Sequence, residues 1–297
     1  MTLQELVNEY YKSSDYSMLA VKTKVDYTNC LESVLKTKVG RHFICTTKVN
    51  KLSGAMARQS YEVWLNRGIY MANHMVATSR KVYSFAMEMG YAEYNPFSTF
   101  KCKVTKPRKV VWTREQITQM LDYCYSEFKY RSLGLIIQMA YEWCQRVGDM
   151  RLLKFENIDY DKGILNLEQS KRGASVTLPI SEDLLEMLRE QKHDYDFQEY
   201  VAPYPSTLRG SYKPYSLHRL SIVARRVIKL CGLPNELRIA DLRRTGTTEM
   251  VEAGVSMGQI MSVTGHANPQ SVKPYMKNTY ESAKRALTTR KNYDTNN

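Results

Sequence analysis

The spacing of apolar residues predicts that the first hundred residues are helical. Within LQELVNEYY, apolar residues recur every three or four positions and so form one face of a helix. These residues are Leu3, Leu6, Val7 and Tyr10. MARQSYEVWLNRGIY and TSRKVYSFAMEMG also show a helical pattern, and Gly90 is placed to end the second as a C-cap. Residues 1–100 are therefore predicted to form a helical domain.

A basic segment, KCKVTKPRKVVW, follows a break in this pattern near Asn95-Pro96. It holds five basic residues, one proline and no acidic residue, a composition that does not favour a packed core. We predict an interdomain linker at residues 101–112. Two interpretations of its charge are equally supported at this point, a solvated linker and a linker that lies along the phosphates of DNA.

Residues 113–297 are predicted to form a second domain. Thr113 precedes an acidic and an amide side chain, which indicates a helix start because such side chains satisfy free backbone N–H groups. The first helices are predicted at 113–127 and 130–143. GILNLEQ and ASVTLPI alternate apolar and polar residues around the turn SKRG, which predicts a β-hairpin, and helices return from Ser181 onward. The predicted fold class is mainly α with a small β-sheet, an α+β second domain.

The chain is basic, with 43 Lys and Arg against 30 Asp and Glu and a formal charge of +13. Such an excess attracts polyanions, of which nucleic acid is the commonest. An anionic membrane surface fits the same charge, and a basic protein without a polyanionic partner is a third interpretation. The longest apolar stretch, Leu133–Ala140, is interrupted by Gln138 and is too short to cross a bilayer, so no membrane partner is expected.

The cysteines and the N-terminus further limit the class of protein and its cellular location. The six cysteines are scattered without a C-x-x-C pair, and the five histidines do not join them at zinc spacing. No metal site is predicted, and the thiols are expected to be free. The N-terminus has early acidic residues and no apolar core, unlike a signal peptide. A cytoplasmic protein is expected.

Breaking a phosphodiester without a metal requires a nucleophile, cations beside the non-bridging oxygens and an acid for the departing oxygen. Arginine suits the second task because its planar fork grips two phosphate oxygens and keeps its charge. The sequence has no Walker glycine loop and no D-x-D or D-E-D-D cluster for paired magnesium ions. The sequence is therefore compatible with a metal-free site in which arginines surround a nucleophile, although the spacing of these residues alone does not identify an enzyme.

Three segments of the second domain resemble motifs of the tyrosine recombinase, or phage integrase, family. YEWCQRVGDMRLLKFENIDY resembles the motif of the first catalytic arginine, and SKRGASVTLPI resembles the hairpin that carries a lysine. IADLRRTGTTEMVEAGVSMGQIMSVTGHANPQSVKPYM is similar to the run "h-D-L-R-h-T…l…G…i…lGH…Y". The matches keep the family's order between Thr113 and Lys284. They assign Arg146, Lys171, Arg243, His266 and Tyr275, with Asp149 at the acidic position beside the first arginine.

The resemblance implies a role for each assigned residue. Tyr275 is expected to attack the scissile phosphate, which leaves a 3′-phosphotyrosyl enzyme and a free 5′-hydroxyl. Arg146 and Arg243 are expected to clamp the non-bridging oxygens, where negative charge grows in the transition state. Lys171 is expected to protonate the leaving 5′-oxygen and His266 to hydrogen-bond the phosphate. Because the covalent bond stores the energy of the broken phosphodiester, no ATP and no cofactor are expected.

Each of these residues also fits an ordinary structural role when it is taken alone. An isolated arginine such as Arg146 is usually a surface ion pair, and Lys171 is most simply a solvated loop charge. His266 follows a glycine and would suit a helix terminus. Tyr275 is one of 22 tyrosines, and Tyr280 lies five residues beyond it. The conjunction of five matches in one order favours the family interpretation.

One position departs from the family's pattern. The family usually has H-x-x-R, whereas this chain has Ala240 three residues before Arg243. Alanine neither gives nor takes a proton, so the usual candidate for a base on the Tyr275 hydroxyl is missing. Arg244 is not expected to replace it, because neighbouring residues on a helix point about 100° apart.

Further basic residues are candidates for contact with DNA. Those in the linker gain support from the resemblance, which implies two domains that clamp DNA. Those on predicted helices are equally well explained as solvated helix faces. The candidates are Arg80, Lys81, Lys106, Arg108, Lys109, Arg172 and Arg219.

The resemblance also implies a function and partners. Residues 1–100 are expected to be a core-binding domain, and the chain is expected to act as a homotetramer on paired, attachment-type sites in double-stranded DNA. The favoured interpretation is an integrase that inserts or excises a phage or another mobile element in a bacterial or phage-infected cell. A DNA-bending host factor or a directionality factor fits such a reaction as an accessory partner.

Two other interpretations stay open. A recombinase that resolves chromosome dimers is disfavoured by Ala240 and by a hairpin without the pattern G-K-G-x-K. A DNA-binding homologue that does not cleave is favoured by Ala240 and opposed by the five assigned residues. The C-terminal stretch ESAKRALTT is expected to dock either on a neighbouring subunit or on its own domain.

Overall fold

The computed structural model describes residues 1–106, 108–171, 173–205, 212–276 and 280–295. Contacts within the chain divide it into two compact units, Met1–Arg108 and Lys109–Asn297. Helices dominate the described part of both units, and the described strands form two short antiparallel pairs and one three-stranded sheet. The predicted class, mainly α with a small sheet, is confirmed.

The first unit is built from helices and one short hairpin. Thr2 begins its first helix with a capping box, because its hydroxyl accepts from the Glu5 N–H and the Glu5 carboxylate accepts from the Thr2 N–H. The predicted apolar face of that helix is buried: Leu3, Leu6, Val7 and Tyr10. The elements are α1 Leu3–Lys12, α2 Ser14–Ser17, α3 Val21–Leu35, β1 Lys38–Val39, β2 His42–Phe43, α4 Gly54–Leu65 and α5 Ile69–Glu88.

Two glycines set the ends of the longer helices of the first unit. The stretch MARQSYEVWLNRGIY is not one helix, because Gly68, with φ of +96°, separates α4 from α5. Gly90 follows α5 with φ of +71°, which confirms the predicted C-terminal glycine. Tyr61, Trp64 and Tyr83 are fully buried between the helices, so this unit has a hydrophobic core of its own.

The segment 101–112 is divided between the two units. The Lys103 N–H donates to the Tyr61 hydroxyl oxygen at 2.8 Å, within the first unit. At the other end, Trp112 is only 3% exposed and its backbone N–H donates to Thr245 Oγ1 at 3.0 Å, within the second unit. The segment thus ends in a core tryptophan, which its basic composition did not predict.

The second unit contains the three-stranded sheet, one short strand pair and eight of the described α-helices. Its elements are α6 Arg114–Ser126, α7 Phe128–Glu142, α8 Val147–Met150, β3 Ile158–Asp159, β4 Ile164–Glu168, β5 Ser175–Pro179, α9 Glu182–Tyr195, β6 Pro203–Tyr204, β7 Lys213–Pro214, α10 Leu217–Leu230, α11 Leu242–Glu252, α12 Met257–Thr264 and α13 Tyr280–Thr295. The predicted hairpin is β4–β5, and β3 adds a third antiparallel strand. Leu165 pairs with Leu178, and Leu167 with Val176, so one face of the hairpin is buried.

Helix α7 runs through the core of the second unit. Each of its residues from Ser132 to Ala140 is buried, which explains the apolar stretch seen in the sequence. Gly134 permits the close packing of α6, because a Cβ there would lie 2.9 Å from the Cys124 Cβ. Thr113 starts α6 with a capping box to Gln116, as predicted. Among the described helices, none is long and apolar enough to cross a membrane.

Candidate active site

Four of the assigned residues converge in the second unit. Arg146 immediately precedes α8, Arg243 lies in the first turn of α11, His266 follows the end of α12, and Tyr275 ends the 3₁₀ turn Lys273–Tyr275. Arg243 Nη2 lies 3.0 Å from His266 Nε2, and the ring centres of His266 and Tyr275 are 6.2 Å apart. Residues far apart in the sequence thus form one cluster of cations, an imidazole and a phenol.

Arg243 is buried among neutral acceptors. Its side chain donates from Nη1 to the Cys144 carbonyl at 3.1 Å and from Nη2 to the Thr264 carbonyl at 2.8 Å. Among the described residues, no carboxylate forms an ion pair with it. Burial, together with the nearby charge of Arg146, lowers the pKa of Arg243 to about 10. The guanidinium therefore stays charged at neutral pH, and the acceptors orient it without cancelling its charge.

The hydrogen bonds of Thr264 determine the tautomer of His266. The Thr264 hydroxyl donates to the Ile260 carbonyl at 2.6 Å, so at its 2.8 Å contact with His266 Nδ1 it acts as the acceptor. The imidazole consequently carries its proton on Nδ1, and its Nε2 accepts from Arg243. In this state the neutral histidine holds the arginine.

The C-terminus of α12 supplies two carbonyl acceptors to the site. The last carbonyls of a helix lack partners within it and carry the negative end of the helix dipole, which favours a nearby cation. The Val263 carbonyl accepts from Gln145, and the Thr264 carbonyl accepts from Arg243. Gly265 ends the helix with φ of +67°. The chain changes direction at this residue, so the next residue, His266, lies within 3.0 Å of Arg243.

Arg146 is partly exposed and is also held mainly by a neutral group. Its Nη1 donates to Gln169 Oε1 at 2.8 Å, whereas its distance to Asp149 Oδ2 is 3.8 Å. The buried Asp149 binds the hairpin instead, because its Oδ1 accepts from the backbone N–H and the hydroxyl of Ser170. Asp149 thus joins α8 to the start of the hairpin turn.

Cys144 places its carbonyl against Arg243 by adopting a rare backbone conformation. Its φ is +51°, the only positive value among the described residues other than glycine. Gly246 leaves space for it, since a Cβ at that position would lie 2.6 Å from the Cys144 Sγ. Burial raises the pKa of Cys144 to about 12, so the thiol is protonated at neutral pH and is not a competing nucleophile.

Lys171 makes no hydrogen bond or ion pair with the other assigned residues in the described part of the chain. It is exposed in the turn of the β4–β5 hairpin, and within the described part of the chain no hydrogen bond or ion pair holds its ammonium group. The neighbouring Arg172 lies outside the described residues. The predicted role of Lys171 in protonating the leaving oxygen therefore remains a prediction.

Arg244 contacts the candidate nucleophile. Its guanidinium carbon lies 5.3 Å from the centre of the Tyr275 ring, a cation–π distance. Although Arg243 and Arg244 point in different directions from the helix, Arg244 also faces the site, because the turn that carries Tyr275 packs against α11. A guanidinium takes up no proton, so Arg244 holds the ring without supplying the missing base.

Ala240 is exposed at the edge of a pocket. It lies in the 3₁₀ turn Ile239–Asp241, and with Val147 and the apolar side of α10 it lines a pocket of about 240 Å³. Space therefore exists where the family usually carries a histidine.

Two buried glutamines complete the cluster, and the sequence motifs do not point to either of them. Gln145 and Gln169 are at most 1% exposed, and their side chains bond to each other at 2.7 Å. The only signal in the sequence is position, since Gln145 precedes Arg146 and Gln169 lies two residues before Lys171. Nothing in a single sequence distinguishes a buried amide from a solvated one.

The candidate DNA-contacting residues differ in their partners. Arg80 donates to the carbonyls of Phe97 and Phe100, and Lys81 pairs with Asp15 at 2.9 Å, so both have structural roles in the first unit. In the second unit, Arg219 lies over the Tyr204 ring at 5.1 Å. Lys106 and Lys109 are exposed, and Arg108 is partly buried. Within the described residues, no group of His, Cys, Asp or Glu side chains is arranged to hold a metal ion.

Comparisons of sequence agree with the family resemblance. The model of the phage integrase family matches residues 111–282. Tyrosine recombinase XerA of Pyrococcus furiosus is 24% identical over 188 residues, which is 62% of this chain and 63% of that protein. The shufflon-specific DNA recombinase of Escherichia coli is 26% identical over 196 residues, which is 64% of this chain and 46% of that protein. The chain thus spans roughly half to two thirds of the length of these relatives.

Comparisons of structure cover both units. A lambda integrase dimer bound to a COC′ core site has a TM-score of 0.75 and 20% identity over 93% of this chain and 77% of that chain. The Tn1549 transposon integrase in complex with a circular intermediate DNA has a TM-score of 0.77 and 14% identity over 97% of this chain and 99% of that chain. These likenesses show a shared fold. Together with the match across more than half of the sequence, they establish that the chain belongs to the phage integrase family.

Proposed function

We propose that the chain is a site-specific DNA recombinase that cleaves and rejoins DNA through a phosphotyrosine at Tyr275. One observation carries the proposal: Arg146 and Arg243, both held by neutral acceptors, lie in one cluster with the phenol of Tyr275 and the imidazole of His266. Such a pair of cations, with no carboxylate at hydrogen-bond distance among the described residues, fits a phosphodiester, whose non-bridging oxygens become more negative in the transition state.

In this mechanism the Tyr275 oxygen attacks phosphorus and the bond from phosphorus to the 5′-oxygen breaks. Lys171 gives its proton to the departing 5′-oxygen, and the phenol proton passes to water because Ala240 accepts none. Arg146 and Arg243 bind the non-bridging oxygens, as planar guanidinium groups do with phosphates. His266 accepts at Nε2 in the free protein; when this nitrogen takes a proton from water as the phosphate binds, it donates to a non-bridging phosphate oxygen. Attack by a 5′-hydroxyl on the phosphotyrosine reverses these steps and rejoins the strand.

The substrate in this proposal is double-stranded DNA at paired, attachment-type sites. The formal charge of +13 and the exposed Lys106 and Lys109 support binding along the phosphate backbone. Residues 1–100 serve as the core-binding domain and 101–112 as the linker, with Lys103 bonded to the first unit and Trp112 packed into the second. The mobile-element interpretation remains the favoured one, with chromosome-dimer resolution and a non-cleaving homologue as the alternatives.

A homotetramer is the proposed assembly. A solved lambda integrase tetramer bound to a Holliday junction is 20% identical to this chain, with a TM-score of 0.76. On α13, Leu287 is 59% exposed, which leaves an apolar side chain available to a neighbouring copy. A DNA-bending or directionality factor fits the same proposal as an accessory partner in the cytoplasm.

A trapping experiment tests the reaction. Nicked duplexes with randomised flanks are incubated with the protein, because a nick beside the cleaved phosphate lets the short fragment leave and traps the covalent product. Adducts that survive denaturant are recovered and sequenced, which also identifies the recombination site. Wild type is expected to form an adduct whose linkage maps to Tyr275, and Tyr275→Phe is expected to form none.

Tyr70→Phe is the matched control, since Tyr70 is 79% exposed in the first unit. It should form the adduct at the rate of wild type. The absence of any adduct with wild type and Tyr70→Phe, or an adduct that persists in Tyr275→Phe, would overturn the proposal.

A further inference from the structure

Gln169 uses its whole side-chain amide within the candidate active site. Its Oε1 accepts from Arg146 Nη1 at 2.8 Å, and its Nε2 donates to Gln145 Oε1 at 2.7 Å and to the Thr264 carbonyl at 2.8 Å. The orientation of the amide follows from its partners, because a guanidinium only donates and a backbone carbonyl only accepts. This buried side chain therefore has a single satisfied orientation.

The Thr264 carbonyl connects the two arginines through Gln169. This oxygen accepts from Gln169 Nε2 and from Arg243 Nη2, each at 2.8 Å. A continuous path of hydrogen bonds thus runs from Arg146 through Gln169 and Thr264 to Arg243. These bonds hold the two guanidinium groups at a set separation, and none of them is made to a carboxylate; the Asp149 carboxylate lies outside the path, 3.8 Å from Arg146.

Gln145 braces the same path from the other side. It is 0% exposed, and its Nε2 donates to the carbonyls of Trp143 at 2.8 Å and Val263 at 2.7 Å. Since its Oε1 accepts from Gln169, the two amides join the loop before α8, the end of β4 and the end of α12. Three elements that carry assigned residues are linked by two side chains.

The end of α12 is packed directly on Gln169. A Cβ at Gly265 would lie 2.5 Å from Gln169 Nε2 and 2.9 Å from its Cδ, closer than side chains approach. Gly265 is therefore required for this contact as well as for its left-handed backbone. The contact leaves the Gln169 amide no room to move toward α12.

The backbone of Gln169 also starts the turn that carries Lys171. Its N–H donates to the Ala174 carbonyl and its carbonyl accepts from the Gly173 N–H, both at 2.9 Å. The side chain of Gln169 thus binds Arg146 while its main chain closes the hairpin turn. One residue relates the position of the hairpin to that of the arginine.

We propose that Gln169, braced by Gln145, is a positioning residue that sets Arg146 against Arg243 and His266 for attack on the phosphate. The proposal rests on the proposed recombinase function. It requires that loss of the amide slows cleavage without a matching loss of DNA affinity, because the positive charges remain while their geometry relaxes. A misplacement of about 1 Å in a reacting group costs up to about 100-fold in rate.

The test compares Gln169→Met with Gln191→Met. Gln191 is an equally buried glutamine that accepts from Arg131 Nε at 2.7 Å and donates to the Val201 carbonyl at 2.8 Å, outside the site. Single-turnover adduct formation on the nicked duplex, DNA affinity and melting temperature are measured for both variants. Gln169→Met should react about 10- to 100-fold more slowly with affinity within about threefold of wild type. Gln191→Met should lose stability and keep its rate.

A pH profile of Gln169→Glu separates positioning from a structural role. When protonated, the carboxylic acid donates one hydrogen bond and can restore the contact to Thr264. When ionised, it donates none and also neutralises Arg146. The rate of this variant relative to wild type should therefore rise as the pH falls, whereas a structural defect would lower the rate equally across the pH range.

The behaviour of wild type separates a failure of the proposed function from a failure of the positioning role. If wild type forms no adduct, the proposed function fails, and this inference fails with it. If wild type reacts and Gln169→Met keeps its rate, or Gln191→Met loses as much, only the positioning role is overturned. Should Gln169→Met not fold, Gln145→Met removes the brace and is expected to give a smaller loss of rate; an unchanged rate would contradict the role.

Discussion

Two buried glutamines of the second unit each hold an arginine, and the two arginines differ in their charged partners. Gln191 accepts from Arg131 at 2.7 Å, and Gln169 accepts from Arg146 at 2.8 Å. Arg131 also donates to the Asp194 carboxylate at 2.6 Å, whereas the carboxylate oxygen paired with Arg146 lies at 3.8 Å. The glutamine contact is common to both, so the carboxylate distinguishes them.

A carboxylate at hydrogen-bond distance offsets most of the charge of a guanidinium, while amide and carbonyl oxygens only orient it. Arg131 also makes cation–π contacts, since its guanidinium carbon lies 4.7 Å from the Phe128 ring centre and 5.8 Å from that of Tyr195. Arg146 and Arg243 donate instead to amide and carbonyl oxygens, and no carboxylate oxygen of the described residues lies at hydrogen-bond distance from either. An arginine that stabilises the fold can thus be told from one suited to an anion by the nature of its acceptors.

Replacing the arginines by lysine should give the largest contrast. Lysine keeps the charge of Arg243 but cannot bond to Cys144, Thr264 and a phosphate in one plane, so Arg243→Lys should lower the rate of adduct formation by about 100- to 1,000-fold. Arg131→Lys should change the rate less than about threefold. Single-turnover trapping on the nicked duplex measures both, and equal losses would remove the distinction.

Two glycines extend the comparison to the backbone. Gly265 and Gly232 both have left-handed backbones, with φ of +67° and +66°, but only a Cβ at Gly265 meets another residue within 3 Å. Gly232→Ala should cost about 1–2 kcal/mol of unfolding free energy from the backbone alone. Gly265→Ala should cost about 1–3 kcal/mol more because it collides with Gln169.

Urea unfolding measures these costs, and trapping measures their effect on the reaction. Gly265→Ala should also slow adduct formation, whereas Gly232→Ala should not. Equal free energies and equal rates for the two variants would show that the contact between α12 and Gln169 has no consequence.

The ion pair of Arg131 should appear in the pH dependence of stability. Hydrogen bonding to Arg131 holds the pKa of Asp194 below its usual value. The stabilisation is therefore complete above the unfolded pKa of about 3.9 and is lost as the pH falls through the lower folded pKa. The difference in unfolding free energy between wild type and Asp194→Asn should be constant above about pH 5 and shrink below about pH 4. A constant difference down to pH 2 would contradict this, and adduct formation near pH 7 should not change.

Ala240→His should have the smallest effect on stability. The side chain at 240 is exposed beside a pocket of about 240 Å³, so an imidazole meets no packed core. The unfolding free energy should stay within about 0.5 kcal/mol of wild type. The rate of adduct formation should rise or stay the same, since a base is added and nothing is removed. A large loss of rate would mean that the pocket requires a small residue.

Local patterns predicted much of the fold. Thr113, Gly90 and the alternating hairpin strands act through neighbours in the sequence, and all three were confirmed. Trp112 was assigned to a linker because its partners, Thr245 among them, lie more than a hundred residues away. Gly68 was included in a helix because its apolar neighbours continued the helical pattern.

The sequence predicted those residues of the site that belong to the family's motifs, and no others. Matching the family's motifs identified Arg146, Arg243, His266 and Tyr275, which the structure brings together. The contact of Arg244 with Tyr275 was missed, because a helical angle says nothing about which turn packs against the helix. Gln145 and Gln169 were missed because the burial of an amide depends on contacts that no sequence pattern records.

The tautomer of His266 makes this residue a spectroscopic sensor of the site. With its Nδ1 proton bound to Thr264 and its Nε2 facing Arg243, the imidazole has two ring nitrogens with very different nitrogen-15 shifts. Only five histidines are present, so its signals can be assigned by single substitutions. A phosphodiester that takes the place of Arg243 at Nε2 favours uptake of a proton from water by this nitrogen, and that protonation would make the two shifts converge. Nuclear magnetic resonance of one side chain can thus follow occupation of the phosphate site in Tyr275→Phe, where no bond is cut.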